Sequence, residues 1–206
     1  MAKILVIKAH PLTIEHSRTL KILDAFMTQY KVSNPEDTIE TRDLYAEEFP
    51  DIDRSMMTAW GQLQNGVGFP DLTTQQQQQL SAYDSTTQQY IDADKVILAN
   101  PMWNLSIPAK LQAWIDTICV AGKTFQYTET AEIPLVPGKK VLHIQTAGGF
   151  YDGKDFGAKY ISGIMHFLGA SDVQELAVEG MDHFPEKAEA FMQDGLERAT
   201  ALATKF

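Results

Sequence analysis

The run Lys3-Ile4-Leu5-Val6-Ile7-Lys8 is apolar and β-branched without alternation. That is the pattern of a strand covered on both faces in a parallel sheet. Strand-like runs recur at 95–99, 140–145 and 173–178, while 38–45 alternates and reads as a half-exposed edge strand. Between them lie helical patterns. Ser17 caps a helix to about Tyr30, with Leu20, Leu23, Met27 and Tyr30 on one face. Further helices are expected at 53–63, 72–91 and 156–168, with a last one after Pro185. Ile107, Leu111, Trp114, Ile115 and Ile118 mark another, capped by Ser106, with Pro108 in its first turn and Ala121-Gly122 at its end. Strands alternating with helices predict an α/β doubly wound, five-stranded parallel sheet of order 2-1-3-4-5, helices on both faces. With no linker and no internal repeat, one domain over 1–206 is expected. The strandless 46–70 stretch reads as a lid or subunit contact, and 124–128 as an extended excursion.

A formal net charge of -10 is the wrong sign for a nucleic-acid or anionic-membrane binder. The single cysteine, Cys119, excludes an internal disulfide and is expected to be an inert thiol inside a helix. No Cys/His spacing suits a metal, so none is expected. The start is too short for a signal peptide and no apolar run is long enough to span a bilayer, so a soluble cytoplasmic protein is expected.

In the 2-1-3-4-5 order, the loops after strands one, three and four meet at the switch point, where such sheets bind ligands. All three are unusual. The first carries His10 and leads to Ser17, Arg18 and Thr19 at a helix amino terminus, an anion site by its free N–H groups; Ser17 also reads as a plain cap. The next, Asn100-Pro101-Met102-Trp103-Asn104-Leu105, exposes Met, Trp and Leu where a surface turn would carry Ser, Asp and Gly. The last, Gln145-Thr146-Ala147-Gly148-Gly149-Phe150-Tyr151, has two glycines that allow close backbone approach to a ligand. Neither a Walker lysine motif nor G-x-G-x-x-G occurs. A phosphate cradle, an apolar-aromatic wall and exposed amides together suit flavin mononucleotide. Trp60 and Trp114 read as core residues, and His183, after strand five, reads equally as a residue that reaches a ligand or as a loop residue bonded to its neighbours.

Lys8-Ala9-His10-Pro11, Asn100 to Leu105, Ala121-Gly122-Lys123-Thr124-Phe125-Gln126-Tyr127-Thr128 and Gly148-Gly149 resemble the FMN-dependent NADH azoreductases. These are flavodoxin-like enzymes also described as NADH:quinone oxidoreductases, and the likeness is greatest to their Gram-positive-type branch. The resemblance implies that His10, Ser17, Arg18 and Thr19 hold the FMN phosphate. Pro101, Met102, Trp103, Asn104 and Leu105 would lie along the ring, and Gln145, Thr146, Ala147, Gly148 and Gly149 on its pyrimidine side. It implies ping-pong transfer from NADH through FMN to quinones and azo compounds, with no catalytic side chain, the flavin N5 being the reactive centre. It also implies a homodimer whose sites lie at the interface, Phe125 and Tyr127 contributing there, with Phe125, Tyr127, Tyr151 and His183 beside the substrate. The chain departs from the family's Ser-rich first loop and Ser-Arg-Gly-Gly third loop, having His16-Ser17-Arg18 and Thr146-Ala147 instead. The rival expectation is a flavodoxin-type electron carrier, which needs no NADH site.

Overall fold

The computed structural model describes residues 1–206. Seven strands and six α-helices follow one another as β1 (Lys3–Lys8), α1 (Arg18–Ser33), β2 (Thr38–Asp43), α2 (Arg54–Gln64), α3 (Thr74–Asp92), β3 (Lys95–Pro101), α4 (Ala109–Ile118), β4 (Phe125–Tyr127), β5 (Glu132–Pro134), β6 (Lys140–Thr146), α5 (Phe156–Phe167), β7 (Asp172–Val178) and α6 (Ala188–Ala203). The main sheet has the order β2-β1-β3-β6-β7 and every pair in it is parallel. This is the expected 2-1-3-4-5 order, with β2 at an edge.

The period of two along each strand sorts the core into two layers. Leu5 and Ile7 of β1, Val96 and Leu98 of β3 and Val141 of β6 join Leu111, Trp114, Ile115, Ile161 and Met165 on the α3, α4 and α5 side. Ile4, Val6, Ile97, Leu142 and Ile144 join Leu20, Leu23, Phe26 and Tyr30 of α1 and Ala199 and Ala203 of α6 on the other. Because both faces are covered, the inner strands needed no alternation.

Several expectations are corrected. Ser106 does not cap α4: the N-cap position falls on Pro108, two residues on, and the helix begins without a side-chain cap, while the Ser106 N–H and C=O close a turn with Trp103. It ends at Ile118, so Cys119 is its half-buried C-cap rather than a helical residue. Burial pushes the Cys119 thiol up to about 12, which leaves it unreactive at neutral pH, as expected. The 124–128 excursion pairs antiparallel with Glu132–Pro134, a strand the sequence did not signal. Trp60 is half-buried, its ring edge-on to Tyr83 in a satellite cluster formed by α2 and α3; Trp114 is wholly buried. No helix is long and apolar enough to cross a membrane, and no three His, Cys, Asp or Glu residues are grouped to hold a metal.

Candidate functional site

Three loops leave the carboxyl ends of β1, β3 and β6 at one edge of the sheet, and the structure ties them to one another. Ala9 N–H donates to Ala99 C=O at 2.9 Å, Met102 N–H to Thr146 C=O at 2.9 Å, and the hydroxyls of Thr19 and Thr146 meet at 2.7 Å. The rings of His10 and Trp103 stand 6.2 Å apart.

In the first loop Ser17 is the N-cap of α1, its Oγ accepting from Leu20 N–H at 3.2 Å. Arg18 and Thr19 N–H, the next two donors of the helix, have no partner within the protein. Thr19 is wholly buried and its hydroxyl is engaged by Thr146, so its N–H is unpartnered without being exposed. The Arg18 guanidinium is held by Asp182 at 2.7 Å. His10 Nδ1 accepts from Leu12 N–H at 3.0 Å, so the proton sits on Nε2. Burial, with Lys8 nearby, lowers its pKa, so at neutral pH the ring is an uncharged donor.

In the second loop, Trp103 and Ser106 exchange N–H···O=C bonds of 2.9 and 3.0 Å around Asn104 and Leu105. Both central residues have positive φ, 51° and 63°, the backbone of a type I′ turn. Asn tolerates that region; Leu does not, and the strain is of order 1–2 kcal/mol. The strained turn is held from behind, because Phe156 and Gly157 N–H donate to Leu105 C=O at 3.1 and 3.2 Å. Asn104 and Leu105 are both exposed, and neither N–H has an acceptor within the protein. Trp103 and Leu105 are exposed beside them.

In the third loop the glycines lie close against neighbouring side chains. A Cβ on Gly148 would overlap the Asp182 carboxylate, and one on Gly149 would press the Tyr151 ring at 3.0 Å. Asp182 and His183 N–H bond Gly148 C=O, each at 3.0 Å, and latch the post-β7 loop onto this one. Gly148 and Gly149 N–H remain without protein acceptors. Ala147 and Pro101 are buried, and Met102 half-buried.

The remaining expected contacts divide. Gln145 is 1% exposed and bonded on both sides to Asn100 and Asp155, so it stands behind the loops. Phe125, 7% exposed, packs on Phe167 at 4.9 Å; it is corrected from a substrate contact to the anchor of the β4–β5 hairpin. Tyr127 on the same hairpin is 69% exposed. His183 is exposed, with its ring against Phe184 and Phe150. Phe150 itself turns toward Phe191 and Gly180, away from the loops. The sequence missed Tyr45, whose ring meets Trp103 edge-on at 6.5 Å with Lys110 Nζ 5.2 Å above it. Nothing in its spacing signalled that contact.

The arrangement offers a flat ligand an aromatic flank of His10, Trp103 and Tyr45. It offers a polar one six unpartnered amides on three loops: Arg18 and Thr19, Asn104 and Leu105, Gly148 and Gly149. A family model described as flavodoxin-like fold matches residues 2–203. The chain is 42% identical over 211 residues, all of both proteins, to an FMN-dependent NADH:quinone oxidoreductase of Halalkalibacterium halodurans. A crystal structure of an azoreductase from Bacillus anthracis str. Sterne superposes with a TM-score of 0.90 at 34% identity, covering 100% of each chain. An FMN-dependent NADH-azoreductase from Bacillus anthracis str. Ames Ancestor, in complex with FMN, does so at 0.88 and 31%, covering 98% of this chain and 100% of that one.

Proposed function

This chain belongs to the flavodoxin-like family, among its FMN-dependent NADH:quinone oxidoreductases and azoreductases, and from that premise we propose that it passes electrons from NADH through bound FMN to quinones and aromatic azo compounds. The observation that carries the proposal is the set of six free amides, paired on three loops around an aromatic flank. FMN presents an anionic phosphate, a flat ring and a hydrogen-bonding pyrimidine edge, and the donor set fits each. Arg18 and Thr19 N–H, the dipole of α1 and the Arg18 guanidinium suit the phosphate. Asn104 and Leu105 N–H suit the ring, with Trp103 alongside. Gly148 and Gly149 N–H suit the pyrimidine edge.

When bound, FMN supplies hydride acceptance and electron release, chemistry that no side chain here provides. The chain's own part is electrostatic and geometric. Fixed amides stabilise negative charge developing at the pyrimidine edge without reorganising, because their carbonyls are already anchored in the fold. The Trp103–Ser106 turn holds two donors at a set angle. The aromatic flank stacks flat donors and acceptors in succession, and the fold needs no nucleophile or metal. We further propose a single cytoplasmic domain that works as a homodimer. The exposed Tyr127, Ile133 and Leu135 of the hairpin, with Met57 and Phe69 of the 46–70 stretch, are the surface for that contact.

The test is a flavin titration followed by steady-state kinetics. FMN is expected to bind more tightly than riboflavin, which lacks the phosphate. NADH oxidation with a simple benzoquinone is expected to give parallel double-reciprocal lines. Equal affinity for the two flavins would remove the phosphate assignment, and intersecting lines would remove the sequential use of one slot.

A further inference from the structure

Behind the 103–106 turn, four side chains form an unbroken polar line inside an apolar layer. His143 Nε2 lies 2.9 Å from Asn100 Oδ1. The Asn100 amide donates to Pro101 C=O at 3.0 Å and to Gln145 Oε1 at 3.3 Å. Gln145 Nε2 donates to Asp155 Oδ2 at 2.9 Å, and Ala158 N–H to Asp155 Oδ1 at 3.0 Å. Exposure along the line is 2%, 0%, 1% and 4%. The carboxylate at its end sets every direction. Only an N–H can face it, which orients Gln145, then Asn100, and leaves Asn100 Oδ1 to accept from His143.

Asp155 has no cationic partner among the ion pairs of the molecule. Two N–H donors and the amino terminus of α5 hold its charge. Burial of a lone carboxylate is costly, and Ser or Thr would cap α5 equally well without it. The charge also stands close to the strained turn. Phe156 and Gly157, the first residues of the helix Asp155 caps, grip Leu105 C=O. Asp155 Oδ1 and the Ser106 carbonyl carbon each lie 3.0 Å from the point where a Gly157 Cβ would stand.

We propose that Asp155, bonded to Gln145 behind the turn that presents the Asn104 and Leu105 amides, is a positioning residue whose buried carboxylate lowers the reduction potential of FMN bound in front of it. The proposal rests on the FMN reading above. A negative charge in a poorly polarisable interior opposes the arrival of further negative charge nearby. The carboxylate of Asp152 on the same edge is exposed and screened by solvent, whereas burial and the neighbouring Asp155 charge raise the Glu175 carboxyl above its usual range. The consequence is a stronger reductant toward quinone and azo acceptors.

The experiment equilibrates FMN-loaded protein anaerobically with a reference dye and reads the reduced-to-oxidised flavin ratio. In Asp155→Asn, which keeps an acceptor for Ala158 N–H, the ratio at fixed potential is expected to rise about tenfold, equivalent to about 30 mV for two electrons. The substitution sets an Asn NH2 group against Gln145 Nε2, so some loss of melting temperature is expected, while the FMN dissociation constant should stay near that of the parent. Asp152→Asn, on the exposed edge, should leave the ratio unchanged. Gln145→Leu removes a donor from Asp155 and tests whether the fold tolerates a break in the line. An unchanged ratio in Asp155→Asn, or an equal shift in Asp152→Asn, overturns the proposal. So does loss of fold in both Asp155→Asn and Gln145→Leu, which would assign the line to stability alone. A parent protein that binds no FMN fails at the loading step and overturns the functional reading first.

Discussion

Leu105 sits at φ 63° although a leucine gains nothing locally from that backbone. The conformation persists because its carbonyl is gripped by two N–H groups of α5 and its neighbours close the turn. Glycine would relieve the strain, roughly 1–2 kcal/mol, while adding about 0.5–1 kcal/mol of unfolded-state entropy to be lost on folding. Leu105→Gly is therefore expected to change unfolding free energy by less than about 1 kcal/mol. It should weaken FMN binding several-fold, since the two amides would no longer be held at one angle. Denaturant unfolding of the apoprotein and a flavin titration read the two effects separately. Large destabilisation with unchanged affinity would show that the turn serves the fold and not the ligand. Nothing in the sequence announced this turn as such. The apolar residues of 101–105 marked the loop as unusual, but Asn-Leu carries no glycine to signal positive φ.

Between β3 and β6, the pairing of Leu98 with His143 and of Asn100 with Gln145 puts the polar line in one layer. Burial pushes the His143 imidazole from 6.5 down to about 4 against a smaller opposing pull from Asp155. Between those values the unfolded chain binds a proton that the folded chain refuses, so stability rises with pH through the window. The contribution is complete above about pH 6.5 and is lost as pH falls toward 4, up to about 3 kcal/mol. Urea unfolding at pH 7.5 and 4.5 should show the parent losing about 2 kcal/mol more than His143→Gln, which keeps a donor toward Asn100. Equal losses would mean that His143 titrates normally. Order and direction of the five main strands were legible because unalternated runs admit few arrangements. The β4–β5 hairpin was not, since Glu132-Ile133-Pro134 is too short and too polar to signal a strand. The capping box of Thr73 with Gln76 was legible but hidden in a run of glutamines.

Across the molecule, the switch point between β1 and β3 gathers loops that the chain places far apart, and this much could be read in the sequence. Which atoms of each loop face outward could not. Ser17, Thr19, Gln145 and Phe125 were residue types suited to a site, yet the fold uses their side chains for a cap, a tie between loops, a buried line and a hairpin anchor. The working surface is instead made largely of backbone amides, which every residue carries and no motif reveals. Tyr45 and Asp155 were invisible because their neighbours are set by packing rather than spacing. The charge of -10 spreads over the exterior, while Arg18 and Lys110 stand at the loops. One spectrum puts the proposed activity to the test. FMN-reconstituted protein is mixed anaerobically with one equivalent of NADH, and the flavin absorption band is followed before and after a quinone or azo dye is added. Rapid bleaching followed by recovery of the band is the predicted result. A protein that stays yellow and oxidised in NADH would contradict it and leave an electron carrier of the same fold.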